Sequence, residues 1–460
     1  MSRTSATLIL LAILMAHLAI GAAYAITVPY WQAPDEPAHY NYIKYIVEHT
    51  ALPVLQPGDY DQAYNEEFTR TPQNVQRKSI EPLRYENYSP PLYYLLAAPV
   101  YAVTGGWVVG VRVLSVVLGG ALVVVAYLIG AEVFPDRLHI ALGGAAFVAF
   151  VPQHAAMLAS VNSDALAELL IALCMLQALR LYRSPQPSQR ALLSLGATLG
   201  LGLLTKSTVY YTALPIVVVA LALHIRRYQS RFTQYILVFV PALTLGALFW
   251  IRNLSVYGGF DILGLARHNA IVVGQPTTAE WIAKYGLTDT VWRGLTTTFH
   301  SFWGQFGWMA VPMPNNVYLV LGALSAVAIA GWVWWLIEGR SQPPEANSQH
   351  ESRSPYPIIL GLLTALTLGG LGYYNLTFVQ HQGRYLFPAS IPLGLVFTLG
   401  LDQWLNKIKA AVVKLTSKSK RDLTPWLDEA RLLLLALVFV YLARLCIIAL
   451  QNYILPNLTA

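Results

Sequence analysis

Long apolar runs, separated mostly by short polar connections, form the main pattern of this chain. Many of the runs are close to the roughly 20 residues that an α-helix needs to cross the hydrocarbon core of a bilayer. With the loop charges as a guide to their ends, the runs predict an all-α polytopic membrane protein with about 11 transmembrane helices. The predicted spans are Thr7–Ile26, Val108–Phe134, Leu138–Leu158, Asp164–Leu181, Ala191–Thr205, Thr208–Ile225, Thr233–Ile251, Val317–Ile337, Tyr356–Phe378, Leu386–Leu405 and Arg431–Ile454.

Two of the polar connections, residues 27–106 and 252–313, are much longer than the others. The first contains an apolar run, Pro90–Thr104, that is short and opens with two prolines. We expect this run to form a helix in the membrane interface, because counting it as a span would invert every later loop. A helix over Glu36–Glu48 is expected to lie there too. Residues 340–355 are rich in Ser, Pro and Gln and are predicted to form a flexible cytoplasmic loop.

Composition excludes a soluble protein. Of the 460 residues, 56% are hydrophobic and 12% are charged, whereas globular proteins carry about 25% charged residues. The net charge of +7 comes largely from basic clusters in the connections, so no nucleic-acid partner is predicted. Cys174 and Cys446 both lie inside apolar runs, and neither a disulfide framework nor a cysteine-based metal site follows from them.

The basic clusters predict the orientation of the chain, because Lys and Arg are enriched in cytoplasmic loops. A cytoplasmic N-terminus places the clusters in the cytoplasm and the two long polar segments outside, in a cell inner or plasma membrane. Residues 1–25 also match a cleavable signal peptide, and the later helices keep the same orientation in that case. The clusters are Arg180/Arg183/Arg190, Arg226/Arg227/Arg231, Arg340/Arg353 and Lys407/Lys409/Lys414/Lys418/Lys420/Arg421.

The motif Pro-Asp-Glu-Pro-Ala-His begins at Pro34, just after the first apolar run. Acidic groups are costly in lipid and ordinary in water, so their place at the membrane boundary matters. Asp35 and His39 would share one face of a helix that begins at Glu36. Asp35 is a candidate for chemistry and equally a candidate for a simple N-cap of that helix.

A second group of charges lies within or beside the apolar spans, near their predicted outer ends. An unpaired cation costs roughly 2.5–3.5 kcal/mol at the bilayer centre, so these cations need anionic partners. Those partners are either the nearby carboxylates, in a structural network, or the phosphate of a ligand, which suits Arg and Lys donors. The charges are Arg112, Asp164, Lys206, Arg252 and Arg384.

Three motifs carry a family resemblance. They are Pro34–His39, Phe302–Trp308 (Phe-Trp-Gly-Gln-Phe-Gly-Trp) and Gly383–Tyr385 (Gly-Arg-Tyr). With these motifs the chain resembles the GT-C superfamily of integral-membrane glycosyltransferases, which includes the dolichyl-phosphate-mannose protein mannosyltransferases. It is most similar to an uncharacterised bacterial branch that shares all three motifs. The resemblance implies a GT-C-like helical bundle with interfacial helices in the first outer segment.

The resemblance also implies a reaction on the extracytoplasmic face. A sugar would pass, with inversion, from a polyprenyl-phosphate or pyrophosphate carrier such as undecaprenyl phosphate to a hydroxyl of an acceptor glycan, lipid or protein. Asp35 would be the catalytic base, with Glu36 beside it. The donor phosphate would bind to Lys206, Arg384, Arg252 and Arg112. Contacts to the substrate or acceptor are expected from His39, Asp164, Tyr88, Trp303 and Tyr385.

Several alternatives stay open at this point. No cofactor is expected, but Asp35, Glu36, His39 and Asp164 could together hold Mg or Mn, which prefer oxygen-rich sites. Trp303 fits a sugar-stacking platform and an interfacial aromatic belt equally well. The intramembrane charges would also suit a transporter or lipid flippase. A non-catalytic scaffold for cell-envelope assembly is the third class, and it would need no Asp35.

Overall fold

The computed structural model describes residues 1–341, 356–416 and 424–459, and almost all of its regular structure is α-helical. The predicted loop 340–355 falls almost wholly outside the described residues, and so do Lys418, Lys420 and Arg421. In chain order the helices of the first half are α1 (Arg3–Thr27), α2 (Glu36–His49), α3 (Gln62–Thr69), α4 (Pro72–Arg77), α5 (Leu92–Thr104), α6 (Val108–Val133), α7 (Leu138–Phe150), α8 (Pro152–Met157), α9 (Asp164–Arg183), α10 (Gln189–Leu203), α11 (Thr208–Tyr211) and α12 (Ala213–Tyr228).

The second half continues this pattern and adds one small hairpin. Its elements are α13 (Gln234–Tyr257), α14 (Leu265–Ile271), α15 (Thr278–Tyr285), α16 (Leu287–Trp303), β1 (Gln305–Phe306), β2 (Val311–Pro312), α17 (Asn315–Ser341), α18 (Tyr356–Asn375), α19 (Ser390–Thr416), α20 (Thr424–Ile448) and α21 (Leu455–Leu458). Short 3₁₀ helices span Tyr85–Tyr88 and Gly383–Ala389, and a π-helical segment, Ala449–Ile454, joins α20 to α21. The strands β1 and β2 pair antiparallel.

Nine helices of the described residues are long and apolar enough to cross a membrane, against the 11 spans predicted. The predicted span Leu138–Leu158 is not one continuous helix, because Val151 is extended before Pro152 and a separate short helix begins there. The predicted span Ala191–Thr205 is covered by α10, which has only 15 residues and is about 22 Å long. The other nine predicted spans correspond to the nine long helices.

The helices pack closely through small residues, as membrane helices commonly do. α19 packs against both α7 and α17. Its Gly400 approaches α17 so closely that a Cβ there would lie 1.8 Å from the carbonyl oxygen of Ala328. This contact fixes the helix that follows the Gly-Arg-Tyr motif.

The first long polar segment folds over one end of the bundle. α2 begins at Glu36, as predicted, and α5 packs against both α2 and α6. Tyr42, Tyr93 and Tyr94 are buried between these helices. α5 has 13 residues and is about 20 Å long, which is shorter than the roughly 30 Å of a bilayer core. Its place in the membrane interface stays a prediction.

Candidate active site

Asp35 lies in the turn between α1 and α2, in a left-handed conformation with φ of 67°. Asp adopts this conformation more readily than most residues, at a modest cost in strain. Asp35 occupies the N-cap position of α2, but its side chain makes no capping hydrogen bond. The N-cap interpretation of its carboxylate is therefore wrong, and the carboxylate is free for other partners.

Two side chains from distant parts of the chain hold the Asp35 carboxylate. Arg384 donates from Nη2 to Oδ2 over 2.6 Å, and the Tyr85 hydroxyl donates to Oδ1 over 3.0 Å. The Asp35 side chain is 25% exposed and that of Arg384 is 9% exposed. Burial alone would raise the pKa of Asp35, but the positive charge of Arg384 holds it below its ordinary value.

Arg384 is placed by the 3₁₀ helix Gly383–Ala389, which lies against the end of α16. The Gly383 N–H donates to Ser301 Oγ over 2.8 Å. A Cβ on Gly383 would lie 2.2 Å from the backbone nitrogen of Phe302, so this position needs glycine. The Gly-Arg-Tyr motif and the aromatic motif are thus packed together, and the first presents Arg384 to Asp35.

A second carboxylate–cation pair joins α9 to the turn before α11. Lys206 Nζ donates to Asp164 Oδ1 over 2.5 Å, and both side chains are partly exposed. Burial would lower the pKa of Lys206, but the carboxylates of Asp164 and Glu86 hold it above its ordinary value. Lys206 therefore carries its positive charge at neutral pH.

His39 and Glu86 lie close enough to these pairs for their charges to interact. Burial lowers the pKa of His39, although Glu86 acts in the opposite direction. The imidazole Nδ1 of His39 is hydrogen-bonded to the Tyr94 hydroxyl at 2.8 Å. His39 is thus a neutral neighbour of the site. Glu86 accepts a hydrogen bond of 2.5 Å from the Ser89 hydroxyl.

Glu36 and Arg112, two further predicted site residues, bind each other in the core. Arg112 Nε and Nη2 donate to the two carboxylate oxygens of Glu36 over 2.8 and 2.7 Å. The remaining donors of Arg112 reach the backbone carbonyls of Ala25, Val28 and Pro29. Neither side chain is more than 2% exposed. Glu36 and Arg112 are therefore bound to each other and to the backbone, and neither side chain contacts the Asp35–Arg384 or the Asp164–Lys206 pair.

Arg252 and Trp303 contact neither pair directly. Arg252 donates to the Pro53 carbonyl and, over 2.9 Å, to the side chain of Asn253. Trp303 is 2% exposed and packs among Phe147, Phe302 and Phe397. A buried tryptophan in this position cannot stack on a sugar.

Tyr385 and Tyr88 are placed near the site. Tyr385 follows Arg384, whose guanidinium lies 5.2 Å from the centre of the Tyr385 ring. Tyr88 ends the 3₁₀ helix that carries Tyr85, and its ring lies 4.4 Å from that of His268. Burial raises the pKa of Tyr88 well above its ordinary value, so its hydroxyl stays protonated.

Sequence reasoning missed Tyr85 and Glu86. Both lie in a short 3₁₀ helix inside a polar segment, where no periodic pattern marks one residue from another. Their distance of about 50 residues from Asp35 along the chain also hides the contact. The Tyr-Ser-Pro-Pro sequence after Asn87 is the one sequence feature that could have pointed to these two residues, since Ser and Pro favour a turn next to them.

The site residues lie at one end of the long helices and the basic clusters at the other. Asp164 begins α9, while Arg180 and Arg183 lie in its last turn, about 25–30 Å away along a helix. Likewise Arg384 precedes α19, and Lys414 lies in its last turn. The predicted separation of acids from basic clusters is therefore present in the fold.

No group of three or more His, Cys, Asp or Glu side chains in the described ranges is arranged to hold a metal ion. Of the four residues considered for Mg or Mn, Glu36 is turned to Arg112, and Asp35 and Asp164 each bind a cation. The donor set therefore does not fit a metal in this arrangement.

Comparisons with known proteins give a family and a fold for this chain. The model of the family described as Predicted membrane protein (DUF2142) matches residues 53–393. No curated protein matches the chain. Among solved structures, the oligosaccharyltransferase AglB from Archaeoglobus fulgidus, in complex with an inhibitory peptide and a dolichol-phosphate, is similar with a TM-score of 0.50 and 16% identity. That alignment covers 97% of this chain and 56% of AglB, so the chain spans little more than half the length of AglB.

ArnT from Cupriavidus metallidurans, bound to undecaprenyl phosphate, is similar with a TM-score of 0.50 and 14% identity, over 99% of this chain and 74% of ArnT. Its apo form gives a TM-score of 0.52 at 11% identity over the same shares. AglB and ArnT are both GT-C enzymes. The predicted fold class is thereby confirmed: the chain is a GT-C-like, all-α polytopic membrane protein.

Proposed function

Because the chain belongs to the family of predicted membrane proteins DUF2142 and has a GT-C-like fold, we propose that it is a membrane glycosyltransferase. Its donor is a sugar carried on polyprenyl phosphate, and its acceptor is a hydroxyl group of a glycan, lipid or protein. The observation that carries this proposal is the pair of carboxylate–cation contacts, Asp35–Arg384 and Asp164–Lys206, at one end of the bundle.

A lipid phosphate is the ligand that suits these two cations. Arg and Lys bind phosphate and carboxylate oxygens by the same charge-assisted hydrogen bonds. A donor phosphate can therefore compete with Asp35 for Arg384 and with Asp164 for Lys206. Arg112 and Arg252 have no part in this proposal, because their donors are bound to protein acceptors away from the pairs.

Donor binding would change the chemistry of Asp35. In the free protein, Arg384 keeps the pKa of Asp35 low, which makes this carboxylate a weak base. When the phosphate draws Arg384 toward itself, Asp35 loses part of that stabilisation and its pKa rises. The base is thus strengthened only when a donor is in place.

The reaction then proceeds as one displacement. The acceptor oxygen forms a bond to C1 of the sugar as the bond from C1 to the phosphate oxygen breaks, with inversion at C1. The acceptor proton passes to Asp35, and the electron pair leaves with the lipid phosphate. Lys206 and Arg384 stabilise the charge that develops on the departing phosphate.

The basic clusters support an extracytoplasmic site. Cytoplasmic loops are enriched in Lys and Arg, and the clusters lie at the end of α9 and α19 that is opposite to the site. We therefore place transfer on the extracytoplasmic face of the inner or plasma membrane, with a cytoplasmic N-terminus.

Binding of bare undecaprenyl phosphate to the protein in lipid nanodiscs tests the proposal without knowledge of the sugar. Lys206→Gln keeps a hydrogen-bond donor for Asp164 and removes the charge, and Arg384→Gln does the same for Asp35. Each loses a charge-assisted contact of about 1.5–3 kcal/mol, which corresponds to roughly 10- to 150-fold weaker binding.

A matched control variant, Lys409→Gln, comes from the opposite end of the bundle. Lys409 donates to Asp428 over 2.6 Å and is 23% exposed, compared with 27% for Lys206. Lys409→Gln should therefore leave the affinity for undecaprenyl phosphate unchanged. Equal affinities of the wild type and of the Lys206 and Arg384 variants would show that the two pairs are not a phosphate site.

A further inference from the structure

A buried histidine–carboxylate pair lies in the core below the candidate site. His154 Nε2 is 2.8 Å from Glu168 Oε2. The side chains are 1% and 6% exposed, respectively. His154 belongs to α8, the short helix after the break at Val151, and Glu168 to α9. The proposed transfer reaction uses neither residue.

The hydrogen bonds of His154 determine how many protons the pair holds. His154 Nδ1 lies 2.8 Å from the Val148 carbonyl oxygen. A carbonyl oxygen only accepts, so Nδ1 must carry a proton. One further proton then lies between Nε2 and Glu168, either on the imidazole or on the carboxyl group. In both cases the pair is neutral overall and fully hydrogen-bonded, which suits its burial.

This pair connects the two parts of the candidate site. Glu168 follows Asp164 by one helical turn, so both lie on the same face of α9. The His154 ring packs against Phe387, with 4.4 Å between ring centres. Phe387 belongs to the 3₁₀ helix that presents Arg384. A continuous set of contacts therefore runs from the helix of Asp164 to the segment of Arg384.

We propose that His154 and Glu168 are positioning residues, which form a hydrogen-bonded brace that fixes the distance between Asp164–Lys206 and Arg384. The inference rests on the proposed function, because its value is to hold two cations at the spacing that one phosphate requires. Reacting groups tolerate little displacement, since an error of about 1 Å can cost roughly 100-fold in rate.

Four variants separate the brace from simple core packing. Glu168→Gln keeps the hydrogen bond, because the amide can donate to the free Nε2 of neutral His154. Glu168→Ala removes the bond and leaves His154 without its partner. The double variant His154→Phe with Glu168→Leu removes both polar groups but keeps an aromatic ring against Phe387. Replacing both partners in this way avoids an unpaired side chain, although the Val148 carbonyl also loses its hydrogen bond from His154. Lys409→Gln serves as a control far from the brace.

The readouts are thermal stability, transfer kinetics with undecaprenyl-phosphate sugars, and hydrogen exchange of residues 164–168 and 383–389. We expect Glu168→Gln to match the wild type in all three. The double variant should unfold at a lower temperature than the wild type, because the Val148 carbonyl loses its donor, and should lose about 10-fold or more in kcat. Glu168→Ala should exchange faster in both segments than Glu168→Gln does.

Each outcome decides the matter. A folded double variant with wild-type kcat and exchange would show that the pair only fills the core. If that variant does not reach the membrane, equal exchange and kinetics of Glu168→Ala and Glu168→Gln would overturn the brace instead. A wild type with no transfer and no affinity for undecaprenyl phosphate, but with exchange that responds to Glu168→Ala, would remove the proposed function and keep the brace.

Discussion

Asp35→Asn is the sharpest perturbation of the proposed reaction. Asparagine has the size of aspartate and keeps one oxygen that can accept from Arg384 or Tyr85, but it cannot take a proton at neutral pH. Loss of a general base lowers the rate by about 10²- to 10⁴-fold. We therefore expect the turnover of this variant to fall by that factor.

The same substitution should leave donor binding intact or make it tighter. In the wild type, the Asp35 carboxylate binds Arg384 over 2.6 Å and competes with a phosphate for it. Asparagine is a weaker competitor because it carries no charge. A lower turnover combined with equal or higher affinity for undecaprenyl phosphate would identify Asp35 as the base and not as a binding residue.

A loss of stability in Asp35→Asn could also lower the turnover, and the structure allows the size of that loss to be bounded. Removing one member of a fully buried ion pair costs about 3–5 kcal/mol. Asp35 is 25% exposed, and asparagine still accepts hydrogen bonds, so the loss should be nearer ~1–2 kcal/mol. Thermal unfolding of the variant in nanodiscs measures this loss directly.

Asp402→Asn is a matched control at the other end of the bundle. Asp402 is fully buried and accepts hydrogen bonds from Arg137 and Arg431 over 2.5 and 2.8 Å. Its substitution should lower stability at least as much as Asp35→Asn, yet leave the turnover of folded protein unchanged. The assay follows release of undecaprenyl phosphate from a panel of undecaprenyl-phosphate sugars. Near-wild-type turnover of Asp35→Asn, or an equal loss in Asp402→Asn, would refute the assignment of Asp35.

Three further predictions follow from the same geometry. Arg384 holds the pKa of Asp35 below its ordinary value of about 3.8 in the free protein. Protonation of Asp35 should therefore lower kcat/KM only when the pH falls below that value. The pH dependence of kcat reports the donor-bound state, so kcat should begin to fall at a higher pH than kcat/KM does. If kcat and kcat/KM fall at the same pH, the donor does not displace Arg384 from Asp35. Arg112→Met should destabilise the protein by about 3–5 kcal/mol, because it leaves Glu36 buried without its partner. The double variant with Glu36→Leu should stay destabilised in thermal unfolding, since the Trp31 and Val161 N–H groups also lose their acceptor, and full recovery would contradict this role of Glu36. In a background without native cysteines, an impermeant thiol reagent applied to intact cells should label Ala63→Cys and spare Leu415→Cys, and labelling of both would place the site and the basic clusters on the same side.

Charge position along the chain predicted the end of the bundle at which each site residue lies, but not which residues pair. Lys206, Arg112 and Arg384 all fall at the predicted end, because hydropathy and the loop charges determine the direction of each helix. Partner choice depends on the rotation of each helix about its own axis, and an almost uniformly apolar helix carries little information about rotation. The sequence therefore predicts a phosphate ligand at Arg112, whereas α6 turns this residue toward Glu36 in the core.

The aromatic motif shows the same limit in another form. Its residues are similar in chemistry, so the sequence cannot separate those that face outward from those that face the core. Trp303 is buried at the end of α16, whereas Trp308 donates its indole N–H to the Trp31 carbonyl over 2.8 Å. Trp308 lies in the turn of the β1–β2 hairpin, which follows α16 and reverses the chain, and a two-residue strand leaves no periodic signal in the sequence.

The adjacency of Asp35 and Glu36 is explained by a division of roles in the turn that both occupy. Glu36 accepts the Trp31 and Val161 N–H groups, each over 3.0 Å, in addition to the two bonds from Arg112. These bonds tie the turn before α2 to α6 and to the segment before α9, and they stabilise the left-handed conformation of Asp35. Consecutive side chains at a helix start point in different directions, so a buried carboxylate at Glu36 leaves its neighbour directed toward Arg384. The two acids of the motif thus have different surroundings: the buried Glu36 holds the turn in place, and the partly exposed Asp35, bound to Arg384, is the one that we propose as the base.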